Sequence, residues 1–171
     1  IPKKFDRVLD IRHCYLQPDP SNEIRLAVKQ YAIENALPYF DLRQQTGWLR
    51  TVMIRNTTIG ELMVVIVVTS YEEAQLNGLL EHLSAKFQQF TSLLYVINNK
   101  RNDTIYDLEV HTYKGNDFII EEMEGLKFKV SPKSFYQTNP VQAHELYKIT
   151  RDFAALTGNE VVYDLYTGTG T

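Results

Sequence analysis

A chain of 171 residues, 44% of them hydrophobic, can bury a proper core as one domain, or as one domain and part of another. Its formal net charge of -3 lacks the electrostatic footprint of an autonomous nucleic-acid binder. Its one cysteine excludes an internal disulfide framework and fits a reducing cytoplasm.

The longest uninterrupted apolar run, Leu62 to Val68, falls far short of the roughly 20 residues that cross a bilayer, so a soluble protein with no membrane partner is expected. Ile1-Pro2-Lys3-Lys4 has no initiator Met and neither signal- nor transit-peptide character, which suggests part of a longer protein. Basic residues gather as Lys3, Lys4, Arg7 and Arg12, as Lys100 and Arg101, and as Lys127, Lys129 and Lys133. Clusters this short read first as solvated faces, because non-specific nucleic-acid affinity needs several phosphate contacts together.

In chain order, residues 5 to 11 read as a short strand. Asp19-Pro20 then reads as an N-cap followed by proline at the first helical position, and Ile24, Ala27, Val28 and Tyr31 give that helix an apolar stripe ending near Leu37-Pro38. Trp48 to Arg55 and Glu61 to Thr69 form a predicted hairpin, with Val64 to Val68 apolar on both faces and therefore central. Ser70-Tyr71-Glu72-Glu73 has the form of a capping box and leads into an amphipathic helix carrying Leu76, Leu79, Leu80, Leu83 and Phe87. Leu93 to Ile97 is a further strand, and Thr104 to Tyr113 with Asp117 to Met123 suggest a second hairpin around Lys114-Gly115-Asn116. This order predicts a split βαβ or ferredoxin-like α+β sheet with helices on one face.

After Gly125 the pattern changes. Phe128 to Val130 and Ser134 to Gln137 are expected to be extended, and Asn139-Pro140-Val141-Gln142 combines an Asn cap with proline at the first helical position. Leu146, Ile149, Phe153 and Leu156 mark the apolar face of a helix that Gly158 would end. Val161 to Leu165 is a predicted buried strand leading into Tyr166-Thr167-Gly168-Thr169-Gly170-Thr171. A strand, an acidic residue at its end and a Gly-x-Gly loop are the parts with which a Rossmann-like domain approaches a nucleotide-type cofactor. Alone, Gly168-Thr169-Gly170 is a weak signal, open also to a tight turn, a phosphate loop or a dinucleotide fingerprint.

The run from Phe128 through Phe135-Tyr136-Gln137-Thr138-Asn139, a capped helix, and then Val162-Tyr163-Asp164-Leu165-Tyr166-Thr167-Gly168-Thr169-Gly170 resembles the RNA uracil-C5 methyltransferase family, its bacterial ribosomal RNA members especially. The F-x-Q-x-N element before the helix is the discriminating feature. Leu49-Arg50 and the Asn98-Asn99 loop extend the resemblance loosely, and Thr167 departs from the cysteine that many members carry there.

The resemblance implies residues 1–130 as a partial central α+β domain and 131–171 as the opening helix and strand of a Rossmann-like class I methyltransferase domain. It implies S-adenosylmethionine as cofactor, met by Gln137, Asp164, Tyr166, Gly168, Gly170 and Thr171, and RNA, ribosomal RNA in particular, as partner, met by Gln137 and Phe135. A carboxamide at Gln137 suits a place between cofactor and uracil because it both donates and accepts.

The implied mechanism adds a cysteine thiolate to C6 of a uridine, methylates C5, and then removes the C5 proton. The implied nucleophile and base lie past Thr171, so this chain holds no catalytic residue and is expected to be inactive alone. Cys14 resembles the last of four cysteines that hold an iron–sulfur cluster in several members; alone it reads as an ordinary buried thiol. Residues from about 134 onward are expected to dock loosely, and Val161 to Leu165, lacking neighbours, to be disordered or to pair with another chain. Two other readings stay open: a stand-alone α+β RNA- or protein-binding module, and a nucleotide-binding enzyme cut inside its phosphate loop.

Overall fold

The computed structural model describes residues 9–170. Among them, helix α1 (Ser21–Glu34) precedes a hairpin of β1 (Leu49–Asn56) and β2 (Leu62–Val68), followed by α2 (Glu73–Lys86), β3 (Ser92–Ile97), β4 (Val110–Gly115), β5 (Ile119–Met123), β6 (Leu126–Val130) and α3 (Pro140–Ala154). Strands β1 to β4 form one sheet in sequence order, and β5 and β6 pair as a separate antiparallel ribbon.

Strand β2 organises the molecule because all seven of its residues are buried. Its alternate side chains point to opposite faces, as the period of a strand requires. Val64, Ile66 and Val68 join Ile24, Val28, Leu76, Leu80 and Leu83 of the two helices in one core. Met63, Val65 and Val67 join Leu94, Val96, Ile119 and Val130 in a second core beneath the β5–β6 ribbon. Each fully buried large apolar side chain contributes about 1.5–3 kcal/mol relative to exposure. The expectation of a central strand covered on both sides is thus met, as is that of the β1–β2 hairpin.

The connection β2–α2–β3 departs from the predicted split βαβ arrangement. Strands β2 and β3 pair directly in parallel, from Met63 opposite Ser92 to Val68 opposite Ile97, with no strand between them. A directly paired crossover lets Leu76, Leu79, Leu80 and Leu83 of α2 lie across the seam between β2 and β3. The predicted strand at residues 5 to 11 falls partly outside the described residues, and residues 9–11 are not strand.

The second hairpin is also different from the one expected around Lys114-Gly115-Asn116. Strand β4 pairs back to β3, and β5 turns instead into β6. Glu124 and Gly125, at φ 52° and 79°, form the two-residue connection, whose left-handed pair matches the twist of a tight hairpin. The alternation of β5 and β6 is short and its turn lacks an Asn-Gly or Asp-Gly signal, so the sequence carries little local mark of this hairpin.

Helix ends differ from expectation too. The Asp19-Pro20 peptide is cis, Pro20 occupies the cap position of α1, and no side chain caps that end. Ser70 donates its hydroxyl to the Glu72 carboxylate at 3.1 Å instead of closing a capping box, and α2 begins at Glu73. Helix α3 does start as expected, with the Gln142 amide donating to the Asn139 side chain at 3.1 Å. It stops earlier than Gly158, at Ala155, which takes the left-handed conformation at φ 47°.

Candidate functional site

A cavity of about 290 Å³ opens where the end of β1 meets the β5–β6 ribbon and the segment entering α3. Its apolar wall is Met53, Ile54, Ile119 and Val130, and its polar side includes Arg55, Glu121, Tyr136 and Gln137. That mixture, an apolar body with a few converging polar groups, is the usual make-up of a small-molecule or nucleobase site.

Each polar group is placed by its element. Glu121 sits on the inward register of β5, opposite Phe128, and is only 2% exposed. Its carboxylate accepts from the Thr58 amide at 3.1 Å, from the Thr58 hydroxyl, and from its own neighbour's amide at Glu122 at 2.9 Å. The buried charge is therefore satisfied by the β1–β2 turn, as a buried carboxylate must be. Arg55, near the end of β1, donates to the carbonyls of Ser134 at 2.8 Å and Pro132 at 3.4 Å. Burial pushes its pKa down, though the group stays cationic at any physiological pH. It thereby straps the segment 131–138 to the sheet.

Tyr136 packs its ring against Phe128 at 6.2 Å. Its hydroxyl is buried without a hydrogen-bond partner among the described residues. Burial first, and then the nearby Glu121 and Tyr147, push that phenol up to about 12, so it is a neutral donor. Gln137 follows on the rim, with an exposed side chain that lines the same cavity.

The Gly-x-Gly loop approaches from the other side of this segment. A Cβ built on Gly168 would lie 3.8 Å from the Phe135 carbonyl oxygen, so the loop and the F-x-Q element are in contact range. Gly168 and Gly170 take φ of 58° and 85°, and the Gly170 amide closes a turn onto the Thr167 carbonyl at 2.8 Å. Asp164 accepts from the Tyr166 amide at 2.9 Å, holding its carboxylate at the loop entrance. A latch joins α3 to the ribbon. Arg151 forms a bidentate pair with Glu124 at 2.6 and 2.7 Å, and His144 Nε2 donates to the same carboxylate at 2.8 Å. These hydrogen bonds, Arg151's first, lower the Glu124 pKa to about 2.

Comparison with known proteins fits this geometry. An uncharacterized RNA methyltransferase of Bacteroides thetaiotaomicron is 57% identical over 174 residues, covering 100% of this chain and 38% of the relative. One of Porphyromonas gingivalis is 57% identical over 173 residues, covering 100% of this chain and 37% of its own length, and one of Clostridium acetobutylicum is 33% identical over 170, covering 99% and 37%. The chain belongs to this RNA methyltransferase family.

It spans less than two fifths of the length of those relatives. No family model matches. The fold is also that of part of a crystal structure of the Pyrococcus abyssi tRNA (uracil-54, C5)-methyltransferase in complex with S-adenosyl-L-homocysteine. The TM-score is 0.69 at 24% identity, covering 88% of this chain and 36% of that one.

Within this family member the expected site residues fall into two groups. Gln137 lines the cavity, while Phe135 and Gly168 meet beside it. Asp164, Tyr166 and Gly170 lie in an exposed segment, Tyr166 being 95% exposed, and Thr171 lies outside the described residues. Val161 to Leu165 correct the expectation most plainly, for they form no strand and are exposed. A strand needs neighbours to satisfy its backbone, and none of β1 to β6 lies alongside. Ser134 to Gln137 pair with no strand, and Arg55 holds the Ser134 end of this stretch to the sheet.

Cys14 is a half-buried thiol whose backbone is held by Asn22, the Cys14 amide donating to Oδ1 at 2.8 Å. Among the described residues no three or more His, Cys, Asp or Glu side chains gather as a metal site, and one thiolate does not fit a cluster that needs four. Also among them, no helix is long and apolar enough to cross a membrane. Sequence reasoning missed Arg55, Glu121 and Tyr136. One signal existed: Glu121 sits two residues from Ile119, in phase with a buried face, where a charge without a partner would not be tolerated.

Proposed function

We propose that this chain supplies the RNA-facing part and the first cofactor contacts of an S-adenosylmethionine-dependent methyltransferase acting at C5 of a uridine in RNA, ribosomal RNA being the first substrate to test. The observation that carries this is the cavity lined by Gln137 and Tyr136 on a segment whose Phe135 carbonyl lies near Gly168 of the Gly-x-Gly loop. One short stretch thus faces a nucleobase-sized space on one side and the cofactor loop on the other. The boundary between the two functional parts falls near Val130, where the ribbon ends.

The residues fit their roles chemically. A uracil edge presents acceptor, donor and acceptor in series, and the exposed Gln137 carboxamide, which both donates and accepts, offers a complement beside the apolar wall. Gly168 and Gly170 leave the loop backbone without Cβ atoms, so a ligand can approach it closely. Asp164 and Tyr166 stand beside that loop to contact the cofactor, with Thr171 following it. The cofactor supplies the methyl group. Gln137 orients the base against it, Phe135 stacks or packs beside the base, and the surrounding apolar wall excludes water.

No nucleophilic cysteine faces the cavity, so the covalent step at uracil C6 requires residues of the longer protein. The chain by itself is accordingly expected to transfer no methyl group. A labelled-methyl transfer assay on uridine-containing RNA tests the reading. The full-length protein is expected to label C5 of uridine and to lose at least about tenfold in rate on Gln137→Ala, as loss of one orienting contact typically costs. Methylation at another atom, or an unchanged Gln137→Ala rate, sinks it.

A further inference from the structure

The Arg50 side chain is only 1% exposed, yet it carries a full charge. Its guanidinium lies 3.9 Å over the Phe40 ring. It donates to the carbonyls of Asn98 at 2.9 Å, Lys100 at 2.6 Å and Asn102 at 3.3 Å, and to the Asp103 carboxylate at 2.8 Å. Asn98, fully buried, tightens the same loop from within: its amide donates to the Asn102 carbonyl at 3.0 Å and its oxygen accepts from the Lys100 amide at 3.0 Å. So much buried polar machinery for one connection between β3 and β4 indicates that the shape of the loop matters.

That shape has a consequence for its outer side. In a trans peptide the N–H of each residue points opposite to the preceding carbonyl. With the carbonyls of Asn98, Lys100 and Asn102 drawn toward Arg50, the amides of Asn99, Arg101 and Asp103 point away from it. These three residues are exposed, and their amides have no acceptor among the described residues. Outward amides on a rigid loop make an anion-binding surface. Arg101 is exposed on the same loop, and because Arg50 pairs with Asp103 and Lys100 with Asp107, Arg101 is the loop cation left without an ion-pair partner among the described residues.

We propose that the loop from Asn98 to Asp103 is a contact surface for the phosphodiester backbone of the RNA, with the Asn99 and Arg101 amides and the Arg101 side chain as contacts and Arg50 as the positioning residue. The proposal rests on the RNA methyltransferase reading above and names where the substrate strand is held outside the base cavity. RNA suits the surface because phosphates accept from backbone amides and from arginine alike, without base identity. The Lys100-Arg101 cluster, too short to bind nucleic acid alone, becomes useful once the loop adds its own donors.

The test measures RNA binding and methyl transfer by the full-length protein across a range of salt concentrations. Arg101→Glu is expected to weaken RNA binding about three- to tenfold and to lower the slope of log affinity against log salt by about one. It should raise KM for RNA while leaving kcat and cofactor affinity near wild type. Arg50→Lys keeps the charge but loses the planar fork, and is expected to raise KM for RNA in the same way with the chain still folded by circular dichroism. Lys127→Glu, equally exposed on β6, serves as the charge control and should change neither quantity.

Equal salt slopes and KM values for wild type and Arg101→Glu overturn the loop proposal and leave the methyltransferase reading intact. A wild-type protein that binds no RNA overturns both. If Arg101→Glu abolishes binding of a polyglutamate probe but not of RNA, the surface belongs to an acidic protein partner, and the proposal is likewise overturned.

Discussion

The sheet built from residues 49–130 and the segment from 140 to 170 contain similar proportions of apolar side chains but place them differently. In the first, β2 buries both faces and almost every apolar residue of α2 and β3 finds a neighbour. In the second, Ala143 is the one buried residue of α3, Phe153 is 86% exposed, and α3 is held to the ribbon by the Glu124–Arg151–His144 latch. Amphipathic pattern alone therefore does not bury a face. Burial needs a surface of matching shape, and ion pairs at an exposed site hold orientation with little net stability.

Truncation in the two regions should separate them most strongly. Leu80→Ala, at a fully buried site under β2, is expected to cost about 2–5 kcal/mol in urea unfolding, whereas Phe153→Ala should stay within about 0.5 kcal/mol. Similar losses for the two would show that α3 packs as a core element and would break the contrast.

A smaller effect is expected within the first region, where the β1–β2 turn meets β5. Glu121→Ala leaves the Thr58 and Glu122 amides without their acceptor and should cost about 1–3 kcal/mol. Stability unchanged by this substitution would mean that water satisfies the turn equally well.

Within the second region, Asn139→Ala removes the N-cap of α3 and should cost that helix about 1 kcal/mol. Hydrogen exchange would read this as faster exchange of the Gln142 amide with no change in β2. Residues 156–170, with few backbone hydrogen bonds, should exchange fastest in both proteins.

The gentlest test is pH. Glu124 has a folded pKa depressed from 4.5 to about 2, so its contribution to holding α3 is fully present above pH 4.5 and is lost as pH falls through 2. NMR shifts of His144 and Arg151 should follow that window while those of the β2 core do not. Glu124→Gln should abolish the titration.

Legibility in the sequence followed how local each signal was. The apolar run at Val64 to Val68, the leucine spacing of α2 and the Asn139-Pro140 start of α3 each carry their meaning within a few residues, and each is in place. The partner of β4 was not readable, because Lys114-Gly115-Asn116 and Glu124-Gly125 are both acceptable turns and only the second core decides between them. Val161 to Leu165 illustrates the opposite limit: β-branched and aromatic residues favour a strand only where another strand accepts its hydrogen bonds.

By itself the sequence determined the family, the central strand, the two helices over the sheet and the F-x-Q and Gly-x-Gly elements, since those depend on residue type and short spacing. The tertiary structure alone decided that Gln137 shares a cavity with Glu121, Arg55 and Tyr136, and that Arg50 gathers a loop beginning 48 residues away. Such groups come from separate strands and turns with no common period. What joins them is the requirement that a buried charge or carbonyl find its partner, which is met in three dimensions and leaves no pattern along the chain.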